Sequence, residues 1–122
     1  YETLTERIIG CAYNVYNRLG FGFLESVYEK SLLIEMHEAG LTYESQKPIK
    51  VHYKEKIVGE FIADLLVEDK IIVELKSVQK IAKAHEIQLV NYLVATGKPV
   101  GLIINFGEHR VEIKRKVKEL KN

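Results

Sequence analysis

The chain is short of cysteine, of net charge and of long apolar runs, and each shortage removes a class of function. A single cysteine, Cys11, excludes an internal disulfide and leaves no thiolate cluster for zinc. It falls within a helical apolar pattern and reads as a packing residue. Lys and Arg number 18 against 17 Asp and Glu, a formal net charge of +1. That excludes a broadly cationic surface, so any nucleic-acid contact has to come from a local basic patch. No apolar run approaches the roughly 18 residues that span a membrane, and the opening Tyr-Glu-Thr-Leu-Thr-Glu-Arg does not read as a signal peptide. A reducing cytoplasm is the expected compartment. Repeats, low-complexity tracts and internal linkers are missing too, so the 122 residues are expected to form one domain around one core.

What is present is a clear change of hydrophobic period along the chain. From Glu2 to Leu19 the residues Leu4, Ile8, Cys11, Ala12, Val15, Tyr16 and Leu19 recur at three and four, one face of a helix. Thr3 or Thr5 could cap it and Gly20 ends it. Gly20-Phe-Gly-Phe makes a corner into a second helix, Leu24 to Glu38, with Val27, Tyr28, Leu32, Leu33 and Met36 inward. After Gly40 the period becomes two. Strands are expected at Tyr43–Tyr53, with Pro48 favouring an edge or bulge, and at Ile57–Val67 and Ile71–Lys76 around a Glu68-Asp69-Lys70 turn. Ile81 to Thr96 is helical again, closed by Gly97 with Pro99 beyond. Val100–Phe106 is apolar enough to be buried on both faces, and His109–Lys114 would follow as a fifth strand, before an exposed lysine-rich end. The order α-α-β-β-β-α-β-β implies an α/β (α+β) mixed sheet with helices packed on it.

The chemistry-bearing stretch is Asp64-Leu-Leu-Val-Glu-Asp-Lys-Ile-Ile-Val-Glu74-Leu-Lys76. Glu74 and Lys76, two apart on a strand, share a face. A three-residue loop at 68–70 would pair Val67 with Ile71 and bring Asp64 opposite Glu74. A two-residue loop would instead set Asp64 on the face of Leu75. Two carboxylates facing each other across a sheet repel, and a bound Mg²⁺ or Mn²⁺ would reverse that sign. Lys76 would then stand beside an attacking water or a scissile phosphate. A salt bridge from Lys76 to one carboxylate is the plainer reading of Glu-x-Lys by itself, and Asp64 brings the two readings level.

Two other elements favour the metal. Glu25 lies in the first turn of the second helix with Tyr28 on the same face; an acid there suits the helix dipole, or could be lowered over a metal held by the sheet. His85, Gln88 and Tyr92 form a polar stripe on the third helix among Ile87, Leu89, Val90, Leu93 and Val94. A glutamine buried there would need partners, which a phosphate, a metal-bound water or Lys76 would supply. His85 could equally sit at the exposed start of the helix.

Gly22-x-x-Glu25-x-x-Tyr28 resembles the naming motif of the GxxExxY family, small prokaryotic proteins of the PD-(D/E)XK nuclease superfamily. Asp64, Glu74-Leu-Lys76 and Gln88-x-x-x-Tyr92 match in order that superfamily's acidic residue, its E-x-K and its Q-x-x-x-Y, with Ala63 where the name has Pro. The resemblance implies a restriction-endonuclease-like core and a Mg²⁺ (or Mn²⁺) site formed by Glu25, Asp64, Glu74 and the Leu75 carbonyl. It makes Lys76 the catalytic lysine and Gln88 a helper near the water or phosphate; Tyr28 and Tyr92 from the motifs, and His85 from the polar stripe, would support the site. The function expected is metal-dependent hydrolysis of a nucleic acid, DNA before RNA, with little sequence specificity. Lys80, Lys83, Lys114 and Arg115, with Lys116 and Lys118, could contact phosphates. A homodimer could cover Phe21 or Phe23. The alternative is an inactive nuclease-fold module that binds nucleic acid or protein.

Overall fold

The structure is a computed structural model describing residues 1–118. The elements run α1 (Glu2–Leu19), α2 (Glu25–Glu38), β1 (Tyr43–Tyr53), β2 (Lys56–Val67), β3 (Ile71–Lys76), α3 (Lys83–Thr96), β4 (Val100–Phe106) and β5 (Val111–Val117). The order is the one the periodicity implies. Neither Thr3 nor Thr5 caps helix α1: Tyr1 stands at the N-cap position without a side-chain capping bond, and the Thr5 hydroxyl donates to the carbonyls of Tyr1 and Glu2, at 3.1 and 2.8 Å, inside the first turn. Strand β5 starts later than expected because Gly107 to Arg110 close a turn, with the Gly107 amide bonded to the Arg110 carbonyl at 3.1 Å. Glu108, His109 and Arg110 are exposed. Of the lysine-rich end, residues 119–122 lie outside the described residues.

The five strands lie in sequence order, all neighbours antiparallel except β3 and β4. The single parallel step is the one crossed by α3, since a parallel partner needs a long connection. Helices α1 and α2 cover one face of the sheet, with Ile8, Val15, Tyr28, Leu32 and Met36 packed on Leu65, Val73, Leu75, Leu102, Ile104 and Phe106. Helix α3 covers the other with Leu89, Tyr92 and Leu93 against Ile49, Ala63, Leu66, Ile72 and Ile103. Burial from both sides explains why every residue of β4 is buried and why its sequence does not alternate.

The site depends on the hairpin joining β2 and β3. Its turn holds Glu68 and Asp69 both at positive φ, 53° and 56°, where non-glycine residues are strained. The Glu68 carboxylate accepts the Thr42 amide at 2.7 Å, and the Glu68 amide donates to the Thr42 carbonyl at 2.9 Å. These bonds hold the turn in place against the start of β1. The register that follows is Val67↔Ile71, Leu66↔Ile72 and Leu65↔Val73, and one more step brings Asp64 level with Glu74.

Near Asp64 the sheet is irregular. On β1, Ser45 pairs with Leu65 and Lys47 with Ala63, while Gln46 between them is unpaired at φ 55°. Buried positions on β2 change parity here, from Phe61 and Ala63 to Leu66 on the α3 face. The register is the same on either side of Gln46, so pairing is lost locally opposite Asp64 without a bulge; the register shift on β1 lies at Val51/His52.

Helix α3 seats on β4 through Leu89, and only glycine fits beneath it. A Cβ on Gly101 would lie 2.6 Å from Leu89 Cδ1. Gly101→Ala should therefore cost about 1–3 kcal/mol by overpacking, measured by denaturant unfolding. Adding Leu89→Val should recover part of that loss, whereas additive costs would show that the two sites are independent.

Candidate functional site

Glu74 is the one charged side chain buried among the described residues, at 7% exposure. It lies on the α3 face with Ile72, while Val73 and Leu75 face α1 and α2. Asp64 is half-buried beside it. Asp64 Oδ2 accepts the Leu75 amide at 2.7 Å, a backbone donor that would otherwise continue the β2–β3 ladder. The amide and carbonyl of one strand residue leave the chain on the same side, so the Leu75 carbonyl is directed at the same gap.

Burial, then the neighbouring Asp64 charge and a hydrogen bond to Asp64, push the Glu74 carboxyl up to about 9, with Lys76 pulling weakly the other way. Tyr92 on α3, buried and stacked on Phe61 at 4.3 Å, closes over the pair. Its hydroxyl is raised first by burial and then by the charges of Glu74 and Asp64, which locates it beside them. Lys76 forms no ion pair among the described residues, so the plain salt bridge is not what occupies this position. Glu74 Oε1 is buried with no hydrogen-bond partner. An unpartnered carboxylate oxygen beside a second carboxylate is a defect in an apolar core. It is a natural ligand for a hard divalent cation, which takes oxygen donors and keeps several waters. The donor set fits such an ion.

The remaining expected residues are distributed less compactly. Glu25 is exposed at the first position of α2, on the helix pair that covers the opposite face of the sheet. Among the described residues no three His, Cys, Asp or Glu side chains gather at metal-binding spacing. The corner that carries Glu25 is nonetheless tied to the end of β3, because Ser77 Oγ donates to the Phe23 carbonyl at 3.1 Å. Tyr28 supports that corner from within the core: it stacks on Phe106 at 4.3 Å and its hydroxyl donates to the Gly20 carbonyl. Gln88 is exposed, not buried as the apolar residues around it suggest. It stands at the flank of α3, one turn before Tyr92, because Leu89, Tyr92 and Leu93 take the inward face. His85 Nδ1 accepts the Ala82 amide at 3.1 Å, so one ring nitrogen caps the start of α3.

The basic residues do not form one patch. Lys80, Lys83, Lys114 and Arg115 are all exposed. Lys114 and Arg115 are adjacent on β5 and so leave on opposite faces. Lys83 and Lys114 stand in the field of Glu86, which pairs with Lys116 at 2.7 Å. Lys80 lines an open groove of about 490 Å³ with Arg110 and Glu112, on the turn side of the loop after β3; the carboxylate pair is not part of it.

Sequence reasoning missed Asn105. It is fully buried in β4 and bonds both backbone groups of Val78, its Oδ1 accepting the amide at 2.9 Å and its Nδ2 donating to the carbonyl at 2.8 Å. The signal was there: a lone amide side chain within an otherwise apolar strand buried on both faces needs partners.

A carboxyl raised from 4.5 to about 9 in the folded state binds its proton more tightly than in the unfolded chain. The stability tied to that proton is full below pH 4.5 and is lost as pH rises through 9. Without added metal, Glu74→Gln should flatten this slope and be more stable than the parent at pH 8, by on the order of 2 kcal/mol. Denaturant unfolding between pH 5 and 9 measures both; parallel profiles would refute the shift.

The comparisons bear on the family and the fold. A model described as the PD-(D/E)XK nuclease superfamily matches residues 2–116. A solved structure titled "Crystal structure of SSO0001" superposes with a TM-score of 0.59 at 16% identity, over 79% of this chain and 50% of that one. This chain therefore spans about half of that protein, and the likeness is one of fold. No curated protein matches. With the mixed sheet, the facing carboxylates of β2 and β3 and the lysine two residues on, the match over nearly the whole chain shows that it belongs to the PD-(D/E)XK nuclease superfamily.

Proposed function

We propose that the chain is a divalent-metal-dependent nuclease, acting on DNA in preference to RNA and with little sequence specificity. The observation that carries this reading is the buried Glu74 oxygen left without a partner beside Asp64. Asp64, Glu74 and the Leu75 carbonyl would hold Mg²⁺ or Mn²⁺, and Glu25 would reach the ion from the corner tied to Ser77. A bound ion of this kind supplies Lewis-acid polarisation of a phosphoryl oxygen and a water of lowered pKa. Lys76, not engaged by any carboxylate among the described residues, stabilises the charge that builds on the phosphate and orients the water. Tyr92 and Phe61 shield the carboxylates on the α3 side. Gln88, at the flank of α3, is available to substrate rather than to the core. Lys80, Lys83 and Lys114 would supply phosphate contacts, with Arg115 on the other face. The Gly22-x-x-Glu25-x-x-Tyr28 pattern supports assignment to the GxxExxY group, and a homodimer would cover Phe21 and Phe23, 43% and 45% exposed.

The exposed position of Glu25 favours a second reading, a nuclease-fold module that binds without cleaving. The two readings part on metal and on activity. Mg²⁺ or Mn²⁺ should raise the melting temperature of the parent and leave that of Glu74→Ala unchanged. At constant pH below 9, binding should release close to one proton, so that apparent affinity tightens about tenfold per pH unit. Insensitivity of the melting temperature to either ion would rule the metal site out. Cleavage of plasmid, single-stranded DNA and RNA should fall by at least about 100-fold in Lys76→Ala. An inactive parent that still binds metal would establish the accessory module.

A further inference from the structure

Lys76 has no side-chain partner among the described residues to hold it, yet the backbone that follows it is held unusually firmly. In the parallel register Lys76 pairs with Asn105, and in the antiparallel register Asn105 pairs with Glu112. These three positions form a polar row across β3, β4 and β5. Asn105 is 0% exposed and its amide is spent on neighbours: Val78 N–H and C=O at 2.9 and 2.8 Å, and Glu112 Oε1 at 3.3 Å. The same Glu112 oxygen accepts the Ile81 amide at 3.1 Å. Two side chains thus bind the connection between β3 and α3 at Val78 and at Ile81. From the other face, Ser77 Oγ holds the Phe23 carbonyl. Gly107 lets the β4–β5 turn close on this clamp: a Cβ there would lie 2.9 Å from the Arg110 carbonyl and 3.6 Å from Asn105 Nδ2.

We infer that Asn105 and Glu112 are positioning residues that fix the Lys76–Ile81 backbone and through it the direction of the Lys76 ammonium at the carboxylate pair. The bonds that matter here are made by the Asn105 amide and by Glu112 Oε1. Asn105 uses both of its N–H donors, and the shared Glu112 oxygen already accepts two bonds. Their action passes through main chain alone. The inference rests on the nuclease reading for its catalytic consequence, but the clamp itself can be tested without activity.

The test compares Asn105→Leu, Glu112→Leu and Glu112→Gln, loaded with Mn²⁺, against the parent. Glu112→Gln keeps an acceptor oxygen for both Ile81 and Asn105, so it should retain at least about half of the parental kcat. The two leucine variants should lose kcat by about 10- to 100-fold, as removal of supporting hydrogen bonds does elsewhere. Their KM for a DNA substrate and their Mn²⁺ affinity should stay within about twofold, because phosphate and metal ligands are untouched. Amide exchange at Val78 and Ile81 should quicken in the leucine variants and not in Glu112→Gln. Should Asn105→Leu fail to fold, Glu112→Leu at its half-buried position carries the same comparison. Parental kcat in a folded leucine variant, or an equal loss in Glu112→Gln, would overturn the inference. A parent that binds Mn²⁺ but cleaves nothing defeats the nuclease reading instead, and the exchange rates still decide whether the clamp holds the loop.

Discussion

Two carboxylates facing each other across adjacent strands, one of them buried, are a destabilising element that packing alone does not offset. In this protein the arrangement is forced by the β2–β3 hairpin. The 68–70 turn, fastened to Thr42 by Glu68, sets a register in which Asp64 cannot avoid Glu74. One residue of slip would send every side chain of β3 to the other face and place Leu75 in the position of the acid. The protein keeps the repulsive register and meets it with a proton on Glu74. A fold that maintains a buried, unpartnered carboxylate oxygen in this way is suited to an ion that replaces the proton.

The rest of the architecture serves that strand pair. Leu75 and Val73 anchor β3 to the α1–α2 layer, and Ile72 anchors it to α3, so the polar end of the strand emerges from a core closed on both sides. Beyond Lys76 the chain is held from both layers. Ser77 reaches the α1–α2 corner, and Val78 is taken by Asn105 from β4. The corner that presents Glu25 and the end of the strand that presents Glu74 are thus joined by the Ser77–Phe23 hydrogen bond.

The irregularity opposite Asp64 has a similar logic. An undistorted ladder would commit Leu75 to pairing with β2. The β2–β3 ladder ends at Leu65↔Val73, and the Asp64 carboxylate takes the Leu75 amide in place of a strand partner. A backbone donor that is part of the sheet elsewhere becomes part of the site.

Element order and bounds were legible because they follow from local period: β1, β3, β4 and α1 begin and end where the apolar pattern and its glycines say. The Val67↔Ile71 register, which brings Asp64 level with Glu74, was legible for the same reason, since register in a short hairpin follows from loop length. Gln88 was misread because a helix packed by one stripe leaves its flanks open, and period alone does not say which flank meets the sheet. The placement of Glu25 on the opposite helical layer, the Asn105 clamp and the unpaired Gln46 depend on contacts between residues far apart in sequence. The sequence by itself determined the strands, their order and the facing carboxylates, because these arise from neighbours in the chain. Which polar groups share a buried space, and what that space does to their protons, only the packing of two helical layers on one sheet decided, since desolvation and charge proximity are properties of tertiary contact.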